Sequence, residues 1–351
     1  MTIRLPSDPH PAEVAQLRWG VLGTGSIAQR FLRATRAHTS QRVIAVAARD
    51  PARVRAFAAA NAPLRPHASV EGLLLSPDID AVYIATPHTS HADLALSAVA
   101  AGKHTLVEKP FAVNADDVRA VEAAGAASGV LVMEAMWTRY LPQSGIVRRL
   151  VADGELGAVQ SVHARIGIRA PTDTSHRLWD PDLAGGATWD LGVYGLAFAA
   201  DVLGPLDLVG AAGVLTPDGV DLSSTALLRT ASGAHSVIEC SLTVAGANDA
   251  RIVGENGSIV VRAPFFQPTG LCITRHTPRG DTTQTWTDNR FSSPYEAMSD
   301  QVAAFASFVA AGLRQSTIHP LSEVTATVEL LSQIRLQLRE HAQGSSAPHS
   351  R

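Results

Sequence analysis

Arg18, Trp19, Gly20, Val21 and Leu22 run directly into Gly23, Thr24, Gly25, Ser26, Ile27 and Ala28, and this join decides the fold. The first five residues make a short apolar run of strand length. The next six make a Gly-x-Gly-x-x-Ala turn. In such a turn Gly23 permits the tight bend and Gly25 lets backbone approach a pyrophosphate. Ala28 is small enough for the following helix to lie close on the strand. The helix start at Ser26 and Ile27 offers N–H groups and the positive end of its dipole to an anion. A strand before the motif and a helix after it are the context that makes it a dinucleotide site.

Working outward, apolar or β-branched runs at 43–48, 81–85, 105–107 and 131–133 alternate with Ala-rich helical stretches at 27–37, 51–61, 91–101 and 115–128. That alternation predicts a parallel, doubly wound sheet. After Pro142 the pattern changes. A helix (144–153) and a strand (161–168) lead to a loop rich in Pro, Asp and Thr, a helix (187–203), and then several alternating strands. The clearest hairpin joins 252–254 to 259–261 around Asn256 and Gly257, a sequence that predicts a type I′ turn. Helices at 296–311 and 322–341 close the chain.

The fold class is therefore α/β. A Rossmann dinucleotide-binding domain (17–140) is followed by an α+β domain (141–341) with a large open, mainly antiparallel sheet, which carries substrate and subunit contacts. An open sheet needs its outer face covered, which predicts a homo-oligomer, dimer or tetramer, through that sheet. Residues 1–16, with Pro6, Pro9 and Pro11, read as a flexible leader, and 342–351 as a tail.

Composition narrows the function. Among 351 residues, 46% are hydrophobic, 17% charged, and the formal net charge is −3, so no basic field exists to grip nucleic acid. Only two cysteines, Cys240 and Cys272, are present, which excludes a disulfide scaffold and a zinc ribbon. No run of about 18 apolar residues predicts a membrane span. The N-terminus lacks the pattern of an export signal, and a cytoplasmic location is expected. His88 and His91 stand three apart, but no third ligand follows at a recognisable spacing, so no metal is expected.

Cofactor choice turns on the end of the second strand. Arg49 supplies a cation for a 2′-phosphate, whereas Asp50 precedes Pro51 and a helical run and reads as a helix N-cap. The pair favours NADP over NAD. Two further segments carry chemistry. Thr86, Pro87 and His91 follow one parallel strand, and Glu108, Lys109 and Pro110 follow the next, where loops border the cofactor crevice. Further on, Asp190 and Tyr194 stand four apart on a helix. Hydride transfer between carbinol and carbonyl needs a proton relay at the oxygen. Tyrosine can serve when an ammonium such as Lys109 favours its phenolate. Asp190 can hold Lys109 or accept a substrate hydroxyl.

Together these segments resemble the glucose–fructose oxidoreductase/inositol dehydrogenase family (Gfo/Idh/MocA). The matching features are Glu108-Lys109-Pro110, the glycine turn, Thr86-Pro87 with His91, and Gly185-Gly186 followed by Asp190 and Tyr194. Met133 to Arg139, with a tyrosine at 194, is similar to the branch of dimeric dihydrodiol dehydrogenases and NADP-dependent D-xylose dehydrogenases. The resemblance runs from Leu17 to about His341. It implies Lys109 and Tyr194 as the catalytic pair with Asp190 beside them, and hydride exchange at nicotinamide C4. It also implies a dimer built sheet to sheet. Where many relatives carry Gly-Gly-Gly-Ala-Leu, this chain has Ala184, Gly185, Gly186, Ala187, Thr188 and the bulky Trp189.

Substrate-side candidates are Trp137, Arg139, Arg169, Trp179 and Phe266. Aromatic faces suit the C–H side of a sugar ring or a cyclohexadiene diol. The expected activity is NADP-dependent oxidation of a sugar, cyclic polyol or trans-dihydrodiol. One alternative is reduction of a ketosugar or anhydrosugar with NADPH; another is a non-catalytic NADP sensor.

Overall fold

In the first of two sheets, each neighbouring pair of strands runs parallel. The structure, a computed structural model, describes residues 16–345. The strands are β1 (Arg18–Leu22), β2 (Arg42–Ala47), β3 (Arg65–Pro66), β4 (Ala81–Ile84), β5 (His104–Val107) and β6 (Val132–Glu134), in the order β3-β2-β1-β4-β5-β6. Strand order reverses between β1 and β4, and such a reversal opens a ligand crevice at the carboxyl ends of the strands. Strands covered on both faces read as continuous apolar runs, and all four residues of β4 are buried.

The connecting helices are α1 (Ser26–His38), α2 (Pro51–Ala60), α3 (Val70–Leu74), α4 (His91–Ala100) and α5 (Ala115–Ser128). Each boundary has a local cause. The Asp50 carboxylate accepts the N–H groups of Ala52 and Arg53 at 2.8 and 3.2 Å, with Pro51 opening α2. Asn114 caps α5, and Gly129, at φ 73°, ends it. Neither β3 nor α3 is anticipated in the sequence; two and five residues are too short to show a period.

The second sheet is built from β7 (Val159–Gly167), β8 (Asp207–Leu215), β9 (Asp221–Arg229), β10 (His235–Ser241), β11 (Ala250–Gly254), β12 (Gly257–Val261), β13 (Gly270–Arg275) and β14 (Thr282–Thr287). Its order is β14-β13-β12-β11-β7-β10-β9-β8, antiparallel except where β7 meets β10. Helices α6 (Pro142–Ala152) and α7 (Val193–Leu203) belong to the same unit. Gly195 of α7 lies so close on β10 that a Cβ there would stand 2.6 Å from Ile238. Val209, Val214 and Leu227 of β8 and β9 are exposed.

Three sequence expectations need correction. Gly254 pairs with Gly257, so the β11–β12 loop is Glu255 and Asn256, and no residue from 255 to 257 has a positive φ. The turn is not type I′. Gly257 is needed instead because a Cβ there would collide with the Thr274 carbonyl oxygen. The helix expected over 187–203 opens with a π-helical turn, Thr188–Gly192, before α7 begins. Helices α8 (Met298–Ala310) and α9 (Leu321–Ser345) close the chain, and α9 continues four residues into the segment read as a tail. The remainder of that tail, and residues 1–15 of the expected leader, lie outside the described residues.

By its own contacts the chain divides into two units. Among the described residues, one is 142–290 with 326–345; the other is 16–141 with 291–325. Residues 291–325, read from sequence as part of the second domain, thus group with the parallel sheet. The reason is apolar. Trp19 of β1 meets Phe31 of α1 at 5.6 Å and Phe305 of α8 at 4.7 Å between ring centroids. Phe31 in turn stacks on Tyr83 of β4 at 3.8 Å. Burying such rings stabilises by about 2–3 kcal/mol each, which ties the returning segment to the first core.

Candidate active site

At the end of β1, Gly23 adopts φ +117°, and a Cβ there would collide with the Ala85 carbonyl at the end of β4. Only glycine fits where these two strands meet. A Cβ on Gly25, in contrast, would meet nothing within 4 Å, so the backbone here is open to a ligand. Helix α1 has no side-chain N-cap and no acidic residue in its first turn. Its N–H groups at Ser26 and Ile27 and its dipole are left for an anion. Ala28 is fully buried under the helix. Arg49 is exposed at the end of β2, and its neighbour Asp50 is committed to capping α2. A pyrophosphate with a nearby 2′-phosphate fits this set of donors.

Lys109 sits on a turn whose backbone is held from several directions. Its own N–H donates to Glu108 Oε2 at 3.2 Å. The Pro110 carbonyl lies 2.9 Å from His91 Nδ1, and the other ring nitrogen, Nε2, lies 2.9 Å from the Thr86 carbonyl. The ring is thus wedged between the two loops, with a backbone carbonyl of each against one of its nitrogens. His91 is fully buried at the start of α4, and Ser90 Oγ donates to Thr86 Oγ1 beside it at 2.8 Å. The Phe111 N–H donates to Glu134 Oε1 at 2.8 Å. Glu108 also accepts the Tyr83 phenol O–H. Burial pushes its carboxyl up to about 7 against the pull of Tyr83 and Lys109. Lys109 itself is partly exposed, as are Thr86 and Pro87.

In the second unit, the π turn Thr188–Gly192 carries Asp190 and leads into α7 with Tyr194. A π turn widens the helix locally and often marks a functional site. Asp221, at the head of β9, fixes it: its Oδ2 accepts the Thr188 N–H at 2.6 Å. Gly186, at φ +122°, leaves room for that carboxylate, since a Cβ would collide with Asp221 Oδ1. Gly185 passes under the carbonyls of Arg177, Leu178 and Asp180, which a Cβ would meet at 2.6–2.8 Å. The two glycines therefore thread the chain between a loop and a buried carboxylate. Arg335 of α9 stands 3.5 Å from Asp221, whose carboxyl burial pushes up.

Asp190 is 7% exposed and accepts from Arg177 Nη2 at 2.9 Å. Tyr194 is partly exposed, with the Phe266 ring 5.5 Å away. Phe266 continues into Phe265 and Phe198, each at 5.6 Å, so an aromatic run flanks the phenol. Arg169 is exposed just beyond β7, and the partly buried Trp179 donates its indole N–H to the Pro171 carbonyl at 2.7 Å.

Two of the substrate-side candidates are buried. Arg139 is 3% exposed and donates to the Ile318 carbonyl at 2.9 Å and to Glu323 Oε2 at 2.6 Å, an ion pair whose carboxylate is only partly buried. Trp137 is 6% exposed and stacks on Tyr295 at 6.0 Å. Sequence reasoning missed Arg177, Asp221, Glu134 and His319. Each acts through a partner 13 to 185 residues away, and no local period or spacing marks them.

The fold and site define an oxidoreductase with a dinucleotide-binding half. Residues 17–136 match the oxidoreductase family with an NAD-binding Rossmann fold, and residues 146–260 match the GFO/IDH/MocA C-terminal domain. The chain belongs to the GFO/IDH/MocA family. It is 31% identical over 326 residues to the trans-1,2-dihydrobenzene-1,2-diol dehydrogenase of Homo sapiens, covering 91% of this chain and 96% of the relative. It is similar in structure to a 3-ketoreductase from Actinomadura kijaniata solved with NADP and TDP-benzene. That match has a TM-score of 0.81 and 26% identity, over 92% of this chain and 98% of the other. The ketoreductase has also been solved with a lysine changed to alanine and with a tyrosine changed to phenylalanine. Levoglucosan dehydrogenase, solved with NADH and levoglucosan, shares the fold at a TM-score of 0.83 and 20% identity, over 95% and 98% of the chains.

Proposed function

We propose that the protein is an NADP-dependent dehydrogenase acting on a CH–OH carbon of a trans-dihydrodiol, cyclic polyol or sugar. The carrying observation is Tyr194, partly exposed against Phe266 and one turn beyond Asp190, in a chain 31% identical to dihydrodiol dehydrogenases. The bound cofactor supplies a hydride acceptor or donor at nicotinamide C4. Gly23, Gly25, Ser26, Ile27 and Ala28 hold its pyrophosphate, Arg49 its 2′-phosphate, and Thr86, Pro87, His91 and Glu108 shape the loops beside it. In oxidation, Tyr194 takes the proton of the substrate hydroxyl as the C–H bond yields its hydride. Lys109 assists by favouring the phenolate. Asp190, its charge balanced by Arg177, orients the substrate, while Phe266, Trp179 and Arg169 border it. The lysine and tyrosine changed in the solved ketoreductase are of the same two residue types, which supports this pairing.

A second reading, reduction of a ketosugar or anhydrosugar with NADPH, is favoured by the likeness to the 3-ketoreductase. Both directions use the same relay. The exposed Val209, Val214 and Leu227 support a homo-oligomer built through the large sheet. The test is nicotinamide absorbance with NADP⁺ against trans-dihydrodiols, inositols, aldoses and anhydrosugars, then with NADPH against their ketones. Tyr194→Phe should lower turnover at least about 100-fold while still binding NADPH. Wild-type-like turnover in that variant would remove Tyr194 from the relay.

A further inference from the structure

Behind the Lys109 turn lies a chain of alternating charge, buried at Glu134, His319 and Arg139 and partly exposed at Glu323, that the proposed reaction does not use. Glu134 ends β6 at 1% exposure. One of its oxygens accepts the Phe111 N–H at 2.8 Å, and the other lies 2.8 Å from His319 Nε2. His319, 2% exposed, has Nδ1 3.5 Å from Glu323 Oε2, which in turn accepts from Arg139 at 2.6 Å. All four residues belong to the unit of the parallel sheet. His319 lies between α8 and α9, 185 residues from Glu134.

We propose that Glu134 and His319 are positioning residues for Lys109, fixing its turn through the Phe111 N–H. The proposal rests on Lys109 assisting the reaction. A buried ion pair contributes little net stability compared with an apolar pair of the same volume. What this pair supplies is direction. With Glu108 holding the Lys109 N–H and His91 holding the Pro110 carbonyl, Glu134 holds a backbone group of the third consecutive residue of the turn. Glu134 can hold that N–H only while its other oxygen is also satisfied, because an unbalanced carboxylate at this depth draws in water or moves. His319 satisfies it. The groups facing His319 are Glu134 on β6, Glu323 on α9 and Arg139 in the turn after β6. Burial lowers the proton affinity of His319, but its two carboxylate partners raise it more, so the net shift is upward. That upward shift extends the range over which the charged clamp holds; as pH rises and His319 loses its proton the clamp slackens, which gives turnover an alkaline fall-off. A displacement of Lys109 by about 1 Å is enough to cost up to 100-fold in rate.

The experiment uses the full chain, NADPH as the binding probe, and hydrogen exchange in peptides covering residues 108–113. Glu134→Gln and His319→Gln should each speed exchange in that peptide at least about tenfold. Turnover of trans-1,2-dihydrobenzene-1,2-diol with NADP⁺ should fall about tenfold, while the NADPH dissociation constant moves less than about threefold. The double variant Glu134→Gln/His319→Gln faces two neutral amides. It should recover turnover to within about threefold of wild type and lose the alkaline fall-off, even where a single variant folds poorly. Lys109→Met separates the two ideas. If it keeps turnover, the role of Lys109 fails. If it abolishes turnover while the glutamine variants keep wild-type exchange, turnover and pH profile, the positioning role is overturned.

Discussion

Arg49 and Asp50 are neighbours at the end of β2, and the structure separates their duties. Asp50 accepts two N–H groups at the start of α2, so its carboxylate is already engaged where an NAD-preferring protein presents one to ribose. Arg49 is exposed and adjacent to the crevice. Arg49→Ala should weaken NADP binding about 10- to 100-fold, the worth of a charge-assisted contact. NAD binding should stay within about threefold. Titration with both nucleotides checks this, and equal weakening would mean that Arg49 does not read the 2′-phosphate. At this scale the sequence was readable where a residue's job is set by its immediate neighbours. Asp50 followed by Pro51 announces a cap, and Gly23 within its motif announces a bend. The burial of Arg139 is not legible in this way, because its partner, Glu323, is far along the chain, and a lone arginine beside aromatic residues looks the same in sequence whether it is buried or exposed.

The π turn at Thr188–Gly192 shows what an element adds to its residues. Its approach, Ala184 to Gly186, contains two left-handed or near-left-handed positions, Ala184 at φ 54° and Gly186 at φ 122°. Glycine at 186 is required twice, by its backbone and by the Asp221 carboxylate against it. Alanine at 184 carries a strain that glycine would relieve. Two single changes should thus move stability in opposite directions. Gly186→Ala should destabilise by about 3 kcal/mol or more, from positive φ plus the clash with a buried charge. Ala184→Gly should be neutral or stabilise by up to about 1 kcal/mol, the released strain being offset in part by chain entropy. Chemical denaturation of both reads the difference, and a harmless Gly186→Ala would show that Asp221 does not fix the turn. The long elements, such as α1, α5 and the parallel strands, were legible because a 3.6- or 2-residue period repeats within them. The π turn was not, since it depends on a carboxylate 33 residues downstream. The type I′ turn failed for a related reason: Gly257 is demanded by a neighbouring strand rather than by the loop.

At the scale of the whole molecule, buried ionisable groups set how stability responds to pH. Glu108 is held at about 7, against an ordinary 4.5, chiefly by burial. A carboxyl whose folded value is raised binds its proton more tightly in the folded state. Its contribution is therefore full below about pH 4.5 and is lost progressively as pH rises to about 7. For Glu108 the loss amounts to about 3 kcal/mol. Asp221 is shifted in the same direction by burial, and its contribution also falls as pH rises. His319 is raised by Glu134 and Glu323 against its burial, so what it adds is full below pH 6.5 and is lost as pH rises through its raised folded value. The partly exposed acids Asp78 and Asp80 act the other way, with carboxyls lowered by hydrogen bonds from Ser76 and Arg18 respectively, but screening near the surface keeps their effect small. Stability should accordingly decline from about pH 5 toward pH 8 rather than hold a plateau. Glu108→Gln keeps an acceptor for Tyr83 and removes the proton. The stability of that variant relative to wild type should rise by about 3 kcal/mol between pH 4.5 and 8, measured by denaturant unfolding at fixed ionic strength. Parallel curves for variant and wild type would show that Glu108 is not the group that titrates.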